Sequence, residues 1–92
     1  MHQRWTPTPT PNLEIVFRHG RLIAAYLHCA IRQIAAVTRQ ISPGLILDLD
    51  DQGTVLGLEI TDPTHTDIAT IPGLLQSYGI TLNAADLAPL AA

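Results

Sequence analysis

The sequence contains no lysine, a single cysteine and only four aromatic residues among its 92 residues. A single cysteine excludes an intramolecular disulfide and is typical of a reducing compartment, so we expect a cytoplasmic protein. Because aromatic side chains are so few, leucine, isoleucine, valine and alanine must fill the core of one small domain. Polar residues interrupt the longest apolar run, from 22 to 37, which is too short to span a bilayer, so we expect no membrane association.

Positive and negative charges are separated along the chain. The five arginines all precede residue 42, where Glu14 is the one acidic residue, and the other seven acidic residues all follow it. The first part therefore carries +4 and the second −7, which gives the net charge of −3. Proteins that bind nucleic acid normally have a basic excess, so we expect no direct binding to DNA or RNA. The separation favours cross-strand pairing within one sheet over contacts between subunits.

The segment from 44 to 63 has the alternating pattern of a β-hairpin. Every second residue of its two strands is aliphatic: Leu45, Leu47 and Leu49 before an acidic turn, and Leu56, Leu58 and Ile60 after it. Pairing Leu47 with Leu56 places all of these side chains on one face of the hairpin. Asp48 and Glu59 then share the other face, and residues 50–53 form a four-residue loop.

The turn of this hairpin also raises the question of a metal site. We expect Asp51, Gln52 and Gly53 to form the turn, with Gly53 at positive φ. Five residues fall at positions 1, 3, 5, 6 and 12 of an EF-hand calcium loop, with glutamine as the one departure: Asp48, Asp50, Gln52, Gly53 and Glu59. An EF-hand needs a helix on each side, whereas prolines and strand-like alternation flank this loop. A metal or small-molecule site at Asp48, Asp50 and Glu59 is therefore the alternative to a solvated polar face.

The stretch from 22 to 41 is compatible with two secondary structures. Its aliphatic residues recur at helical spacing, and its alanines also favour a helix. However, no good N-cap residue precedes Leu22, and residues 35–41 also accommodate a strand. On the residues alone the helix is slightly favoured, and both structures remain open.

Residues able to carry out catalysis are sparse and poorly placed. Neither serine lies in a Gly-x-Ser-x-Gly context, and the histidine spacings match no zinc motif. His28 and Cys29 are neighbours, so on a strand their side chains point to opposite faces. We therefore expect Cys29 to be a small core residue, and we expect no enzyme, no catalytic residue and no cofactor.

The two ends of the chain differ in character. Residues 1–11 alternate threonine with proline and are expected to form a flexible leader, which leaves 12–92 as a single domain. Helix caps and breakers after Pro63 predict short helices over approximately 67–78 and 84–90. The apolar side of these helices must be buried on the sheet or on a neighbouring subunit. The candidate interface residues are Leu74, Leu75, Leu87 and Leu90.

Three segments resemble the small bacterial family of unknown function numbered 2283. They are 24–27, 43–48 and 53–60, the last with a Gly-x-x-x-Gly-Leu-Glu-Ile run. The resemblance implies an α+β fold in which short C-terminal helices follow a small, mostly antiparallel sheet. The sheet would have four to five strands, at approximately 13–17, 22–28, 35–41, 45–49 and 55–60. On this resemblance the stretch from 22 to 41 forms a strand, a loop and a second strand, with the connection through 31–33.

The same resemblance implies a function without a defined activity. Some members of the family look like partners of small toxin-like proteins, which implies a non-catalytic protein-interaction domain, either antitoxin-like or self-associating. The partner would be another protein or a second copy of the chain. In the first hairpin, His19, Gly20 and Arg21 stand where acidic residues are usual in the family, so no role of those acids carries over.

Overall fold

The computed structural model describes residues 11–30 and 34–90. These residues form an antiparallel sheet of five strands: β1 (Asn12–Arg18), β2 (Arg21–His28), β3 (Val37–Ser42), β4 (Leu45–Leu49) and β5 (Val55–Ile60). The strand order is β1-β2-β5-β4-β3, so β5 is the central strand and β1 and β3 are the edges. Two 3-10 helices (Pro63–His65 and Ile68–Thr70), α1 (Ile71–Gln76) and a third 3-10 helix (Ala84–Leu90) follow the sheet.

The predicted antiparallel sheet is confirmed, including the two strands predicted within the stretch from 22 to 41. β2 and β3 replace the helix that the spacing of aliphatic residues slightly favoured. β2 is paired on both sides, with β1 and β5, and this tertiary pairing overrides the local helical periodicity. The predicted connection at 31–33 and residues 1–10 of the predicted leader lie outside the described residues.

The C-terminal region is less helical than predicted, and the fold is mostly β. α1 has only six residues, and the other turns in this region are 3-10 helices. Pro72 lies in the first turn of α1, and Gly79 follows the helix with a φ of 83°. Both residues limit helix length, because proline lacks an amide hydrogen and glycine readily takes a left-handed conformation that ends a helix.

The register of the hairpin between β4 and β5 differs from the predicted one. Leu47 pairs with Leu58 instead of Leu56, and Leu45 pairs with Ile60. The strands are therefore shifted by two residues relative to the prediction. A shift of two keeps the side chains of 45–48 and 57–60 on their predicted faces, so the separation of these aliphatic residues from Asp48 and Glu59 is retained. Val55 differs: alternation with Leu56 would place it on the polar face, but it pairs with Leu49 and is buried in the core.

A β-bulge at Leu56 causes one residue of this shift, and a hairpin loop one residue shorter than predicted causes the other. Leu49 pairs with Val55, while the next pair along the ladder skips Leu56. The carbonyl oxygen of Leu56 instead accepts hydrogen bonds from the amides of Cys29 (2.8 Å) and Ala30 (3.1 Å). The extra residue of the bulge is thus stabilised by the end of β2, which is distant in sequence.

One face of the sheet, here called the covered face, packs against the C-terminal region. The most deeply buried side chains of this core are Leu27, Leu47, Leu58, Ile60, Ile71 and Leu75. Leu87 and Leu90 are buried in the same cluster, and Leu74 packs partly against it. Leu75, Leu87 and Leu90 therefore take the first of the two placements considered for them, burial on the chain's own sheet.

Candidate functional site

The opposite face of the sheet, here called the open face, is lined by polar and partly exposed side chains. Its central members are Glu14, Val16, Ala24, Tyr26, His28, Ile46, Asp48, Gly57 and Glu59. Glu14, Tyr26 and Glu59 lie side by side on three adjacent strands. The next row contains His28, Gly57 and Asp48. The candidate site is built from these two rows.

Tyr26 lies across the backbone of Gly57 and reaches β4. Its hydroxyl donates a hydrogen bond to Oδ2 of Asp48 over 2.7 Å. A Cβ atom at Gly57 would overlap the ring and the hydroxyl oxygen of Tyr26, so only glycine permits this close approach. Glycine normally weakens the middle of a strand, and here the tyrosine ring covers the exposed backbone. The three residues therefore form one packed unit across β2, β5 and β4.

The protonation of Tyr26 follows from its surroundings. Partial burial raises the pKa of its hydroxyl above the usual value, and the hydrogen bond to Asp48 and the charge of that carboxylate raise it further. The charge of Glu59 acts in the same direction. Tyr26 therefore keeps its proton at neutral pH and acts as a hydrogen-bond donor rather than as a base.

His28 and Glu14 extend the site toward the β1 edge. Nε2 of His28 lies 2.9 Å from Oε1 of Glu14. The imidazole also contacts the ring of Tyr26 edge to face, with centroids 4.7 Å apart and an interplanar angle of 61°. These contacts limit the rotamers of His28 and Glu14 and hold the imidazole against the Tyr26 ring.

A shallow depression of about 240 Å³ opens beside Tyr26. It is lined by Glu14, Val16, Ala24, Ala25, Tyr26 and Glu59. Pockets that bind drug-sized molecules usually have volumes of about 300–1,000 Å³ and enclose most of the ligand. This depression is smaller and open to solvent, so it fits one side chain of a partner better than a metabolite.

The three acidic residues considered for a metal site are not brought together. Asp48 accepts the hydrogen bond of Tyr26, and the carboxylate of Asp50 accepts the amides of Gln52 and Thr54, each over 2.8 Å. Glu59 lies opposite Tyr26 on the neighbouring strand. Within 11–30 and 34–90, no group of three or more His, Cys, Asp or Glu residues could hold a metal ion. The structure thus gives the metal alternative no support.

Asp51, Gln52 and Gly53 form the turn between β4 and β5. The amide of Asp50 donates to the carbonyl of Thr54 over 3.0 Å, so the loop has three residues instead of the predicted four. Gly53 donates to the carbonyl of Asp50 over 3.2 Å and has a φ of 83°. This is the usual three-residue hairpin loop with glycine in the left-handed conformation.

Cys29 lacks the surroundings of a reactive thiol. Its Sγ lies 3.7 Å from the carbonyl oxygen of Leu27, and burial raises the pKa of the thiol to about 11. The side chain packs against the core of the covered face, while His28 points to the open face. The two neighbours are therefore separated, as strand geometry predicts, and do not form a nucleophile–base pair.

A second polar cluster lies in the exposed turn after β5. Thr64 Oγ1 donates to Asp62, and Nδ1 of His65 lies 2.9 Å from Oδ2 of the same carboxylate. These contacts, led by the hydrogen bond from His65, hold the pKa of Asp62 below its usual value. Thr64 and Asp62 meet the same nitrogen of His65, so the imidazole cannot relay a proton between them. The cluster orders the 3-10 turn.

Sequence reasoning placed Asp48 and Glu59 on one face but missed Tyr26, Gly57, Glu14 and His28 as members of the site. A glycine in the middle of an otherwise aliphatic strand was the available signal. Such a glycine often marks close approach by another group, and aromatic residues frequently cover it.

Within the part of the chain that the structure describes, the helices are too short and too polar to cross a bilayer. No family model, no curated protein and no solved structure matches this chain, and the resemblance to family 2283 stays a prediction.

Proposed function

We propose that this chain is a non-catalytic protein-interaction domain whose contact surface is the open face around Tyr26. The observation that carries the proposal is the fixed position of the tyrosine ring. Gly57 supports the ring from below, Asp48 holds its hydroxyl, and Glu14 and Glu59 lie on either side. Protein interfaces are enriched in tyrosine, because its large amphipathic ring loses little conformational entropy on binding.

The charges around the ring indicate the chemistry of the partner. Glu14 and Glu59 are exposed, and both line the depression beside Tyr26. Two carboxylates next to an aromatic ring complement an arginine or lysine side chain, through ion pairing and a cation–π contact. The partner is therefore a protein with a basic segment. An antitoxin-like role, in which the open face covers a basic surface of a toxin-like protein, agrees with this chemistry and with the family resemblance.

The absence of catalysis is part of the proposal. Tyr26 and Cys29 both have raised pKa values, so neither group supplies a nucleophile or a base near neutral pH. The depression is too small and open to exclude water from a bound metabolite.

Affinity capture of a companion protein from native lysate tests the proposal, if the unmodified chain is compared with variants of the open face. Tyr26→Ala should weaken the capture of a stoichiometric companion about 30-fold or more, as expected for an interface hot spot. Glu59→Gln should weaken it less. Asp51→Asn is the matched control, because it also removes one negative charge but lies in the exposed turn of the hairpin.

The contrast between these variants decides the outcome. A companion that binds the Tyr26→Ala and Glu59→Gln variants as tightly as the unmodified chain would place the contact surface elsewhere. Equal loss in Glu59→Gln and Asp51→Asn would indicate a general effect of net charge and would also contradict the proposal.

A further inference from the structure

β1 is an edge strand that carries exposed apolar residues. Among the described residues it pairs with β2 on one side only, so its other backbone edge is available. Val16 and Phe17 remain 45% and 56% exposed on this strand. An accessible edge with apolar side chains is a template for pairing with another strand.

The turn after β1 determines which backbone groups face outward. His19 and Gly20 have φ values of 53° and 77°, as in a two-residue type I′ turn, so Arg18 and Arg21 form the hydrogen-bonded closing pair. A β-bulge in this hairpin leaves Ile23 of β2 without a partner in β1. The backbone groups of successive β1 residues therefore still alternate between facing β2 and facing away from it. The backbone groups of odd-numbered residues, including Ile15 and Phe17, therefore face away from β2.

We propose that two copies of the chain associate through antiparallel pairing of their β1 strands about a two-fold axis at Val16. In this register Ile15 of one copy forms a hydrogen-bonded pair with Phe17 of the other, which uses the outward-facing backbone groups. Glu14 of each copy lies opposite Arg18 of the other, on the open face. The two sheets join into one continuous sheet.

Charge complementarity selects this register. Within one chain Arg18 lies directly opposite Arg21, and such a like-charge pair is unfavourable. Glu14 of the second copy approaches Arg18 from its other side and compensates this repulsion. An axis at Ile15 would place Glu14 opposite Val16, and an axis at Glu14 would place two glutamates together. The axis at Val16 thus gives two Glu–Arg pairs.

The apolar side chains of β1 agree with the same register. Ile15 packs partly against the core, whereas Phe17 on the same face is largely exposed. Pairing places Phe17 of the second copy next to Ile15, and aromatic–aliphatic cross-strand pairs are favourable. The other edge strand, Val37–Ser42, contains one arginine and no acidic residue, so it offers no such complementarity.

The dimer is expected to be weak. Two paired strands of seven residues bury less than the roughly 1,200 Å² at the lower end of stable interfaces. We therefore expect a dissociation constant in about the micromolar range. The inference extends the proposed function, because it adds a second copy of the chain at the β1 edge to the basic partner proposed for the open face.

Charge reversal at both ends of the pairing tests the proposal on the purified full-length chain. Glu14→Arg and Arg18→Glu should each weaken the dimer about 10-fold or more, because each variant places like charges opposite one another twice. An equimolar mixture of the two variants should recover dimerisation, since both end pairs again become Glu–Arg. Sedimentation over a wide concentration range measures the dimer, and circular dichroism checks that each variant is folded.

Two further variants make the test specific. Arg39→Glu reverses a charge on the opposite edge and should leave the dimer unchanged. Phe17→Ala removes an exposed side chain and should weaken the dimer about 5-fold or more without unfolding the chain. If charge reversal disrupts folding, unchanged dimerisation of Phe17→Ala overturns the proposal.

The proposal would also be overturned if the chain is a monomer at all concentrations, or if Glu14→Arg and Arg18→Glu leave the dissociation constant of the dimer unchanged. These experiments contain no companion protein, and the capture experiment varies Tyr26 and Glu59. Failure of β1 pairing can therefore be distinguished from failure of the proposed contact surface.

Discussion

The covered and open faces of the sheet are built from the same strands but from different kinds of contact. In β2, Ala25 and Leu27 point into the core, while Tyr26 and His28, which alternate with them, form polar contacts on the open face. The alternation of side chains along a strand makes this division possible. Stability and recognition can therefore be altered separately by changing neighbouring residues.

The two faces also differ in how much each side chain stabilises the fold. Full burial of one leucine contributes about 1.5–3 kcal/mol, whereas one hydrogen bond contributes about 0.5–1.5 kcal/mol. The covered face consists of buried aliphatic side chains, and the open face depends on a small number of hydrogen bonds. We therefore expect the largest losses of stability on the covered face.

The largest expected effect is that of Leu58→Ala on the covered face. Leu58 is fully buried on the central strand, and its truncation should lower the free energy of unfolding by about 2–5 kcal/mol. Glu59→Gln, one residue away on the open face, should change it by less than about 0.5 kcal/mol. Urea unfolding of both variants measures the difference. Similar losses in the two variants would contradict the division between the faces.

The next effect concerns the close approach of Tyr26 to Gly57. Gly57→Ala should lower the free energy of unfolding by about 1–3 kcal/mol, because the added methyl group overlaps the tyrosine ring. In a Tyr26→Ala background the same substitution should cost much less. A double-mutant cycle by chemical unfolding measures this coupling. Equal costs in both backgrounds would mean that the ring does not lie against Gly57.

A smaller effect is expected for Tyr26→Phe, which keeps the ring and removes the hydrogen bond to Asp48. The loss should be about 0.5–1.5 kcal/mol near neutral pH. Folding raises the pKa of Tyr26, so the contribution of its protonated form is complete below the unfolded value of about 10 and is lost as pH rises above it.

Stability measured against pH checks this assignment. The unmodified chain should lose stability more steeply above about pH 10 than the Tyr26→Phe variant does. Parallel curves for the two proteins would show that the hydroxyl of Tyr26 is not held by the fold.

The smallest effect is expected at the exposed polar side chains of the turn after β5. The pKa of Asp62 is lowered by its hydrogen bonds with His65 and Thr64, so these contacts favour the ionised carboxylate above its unfolded pKa. They should be lost as pH falls through the lowered value. NMR signals of Thr64 and His65 should then move, while the signals of the sheet stay constant. Simultaneous loss of the sheet signals would contradict a purely local role.

Much of the sheet could be predicted from the sequence, because alternating residues identify strands and their buried face. The register of the β4–β5 hairpin could not. It depends on a bulge at Leu56 that hydrogen bonds from Cys29 and Ala30 stabilise, and nothing in the local sequence indicates contacts from so distant a strand. The helical spacing of 22–41 was misleading for a related reason, since pairing with two neighbours decides the conformation of β2.

The candidate site could be predicted only in part. Asp48 and Glu59 were placed on one polar face because they lie in a single hairpin. Tyr26 comes from another hairpin, and its meeting with Gly57 and Asp48 requires β2 to pair with β5. The pairing of β2 with β5 is set by the strand order of the whole sheet and not by either hairpin alone. Similarly, the apolar side of the predicted C-terminal helices indicated that their leucines are buried but did not indicate what they are buried against.

The most direct test of the division between the faces is methyl NMR of the chain with and without the companion protein recovered by capture. Methyl groups of Val16, Ala24 and Ile46 report on the open face, and those of Leu27 and Leu58 report on the covered face. We predict that the companion shifts or broadens the first group and leaves the second unchanged. Shifts confined to Leu27 and Leu58, or absent from the open face, would contradict recognition by this surface.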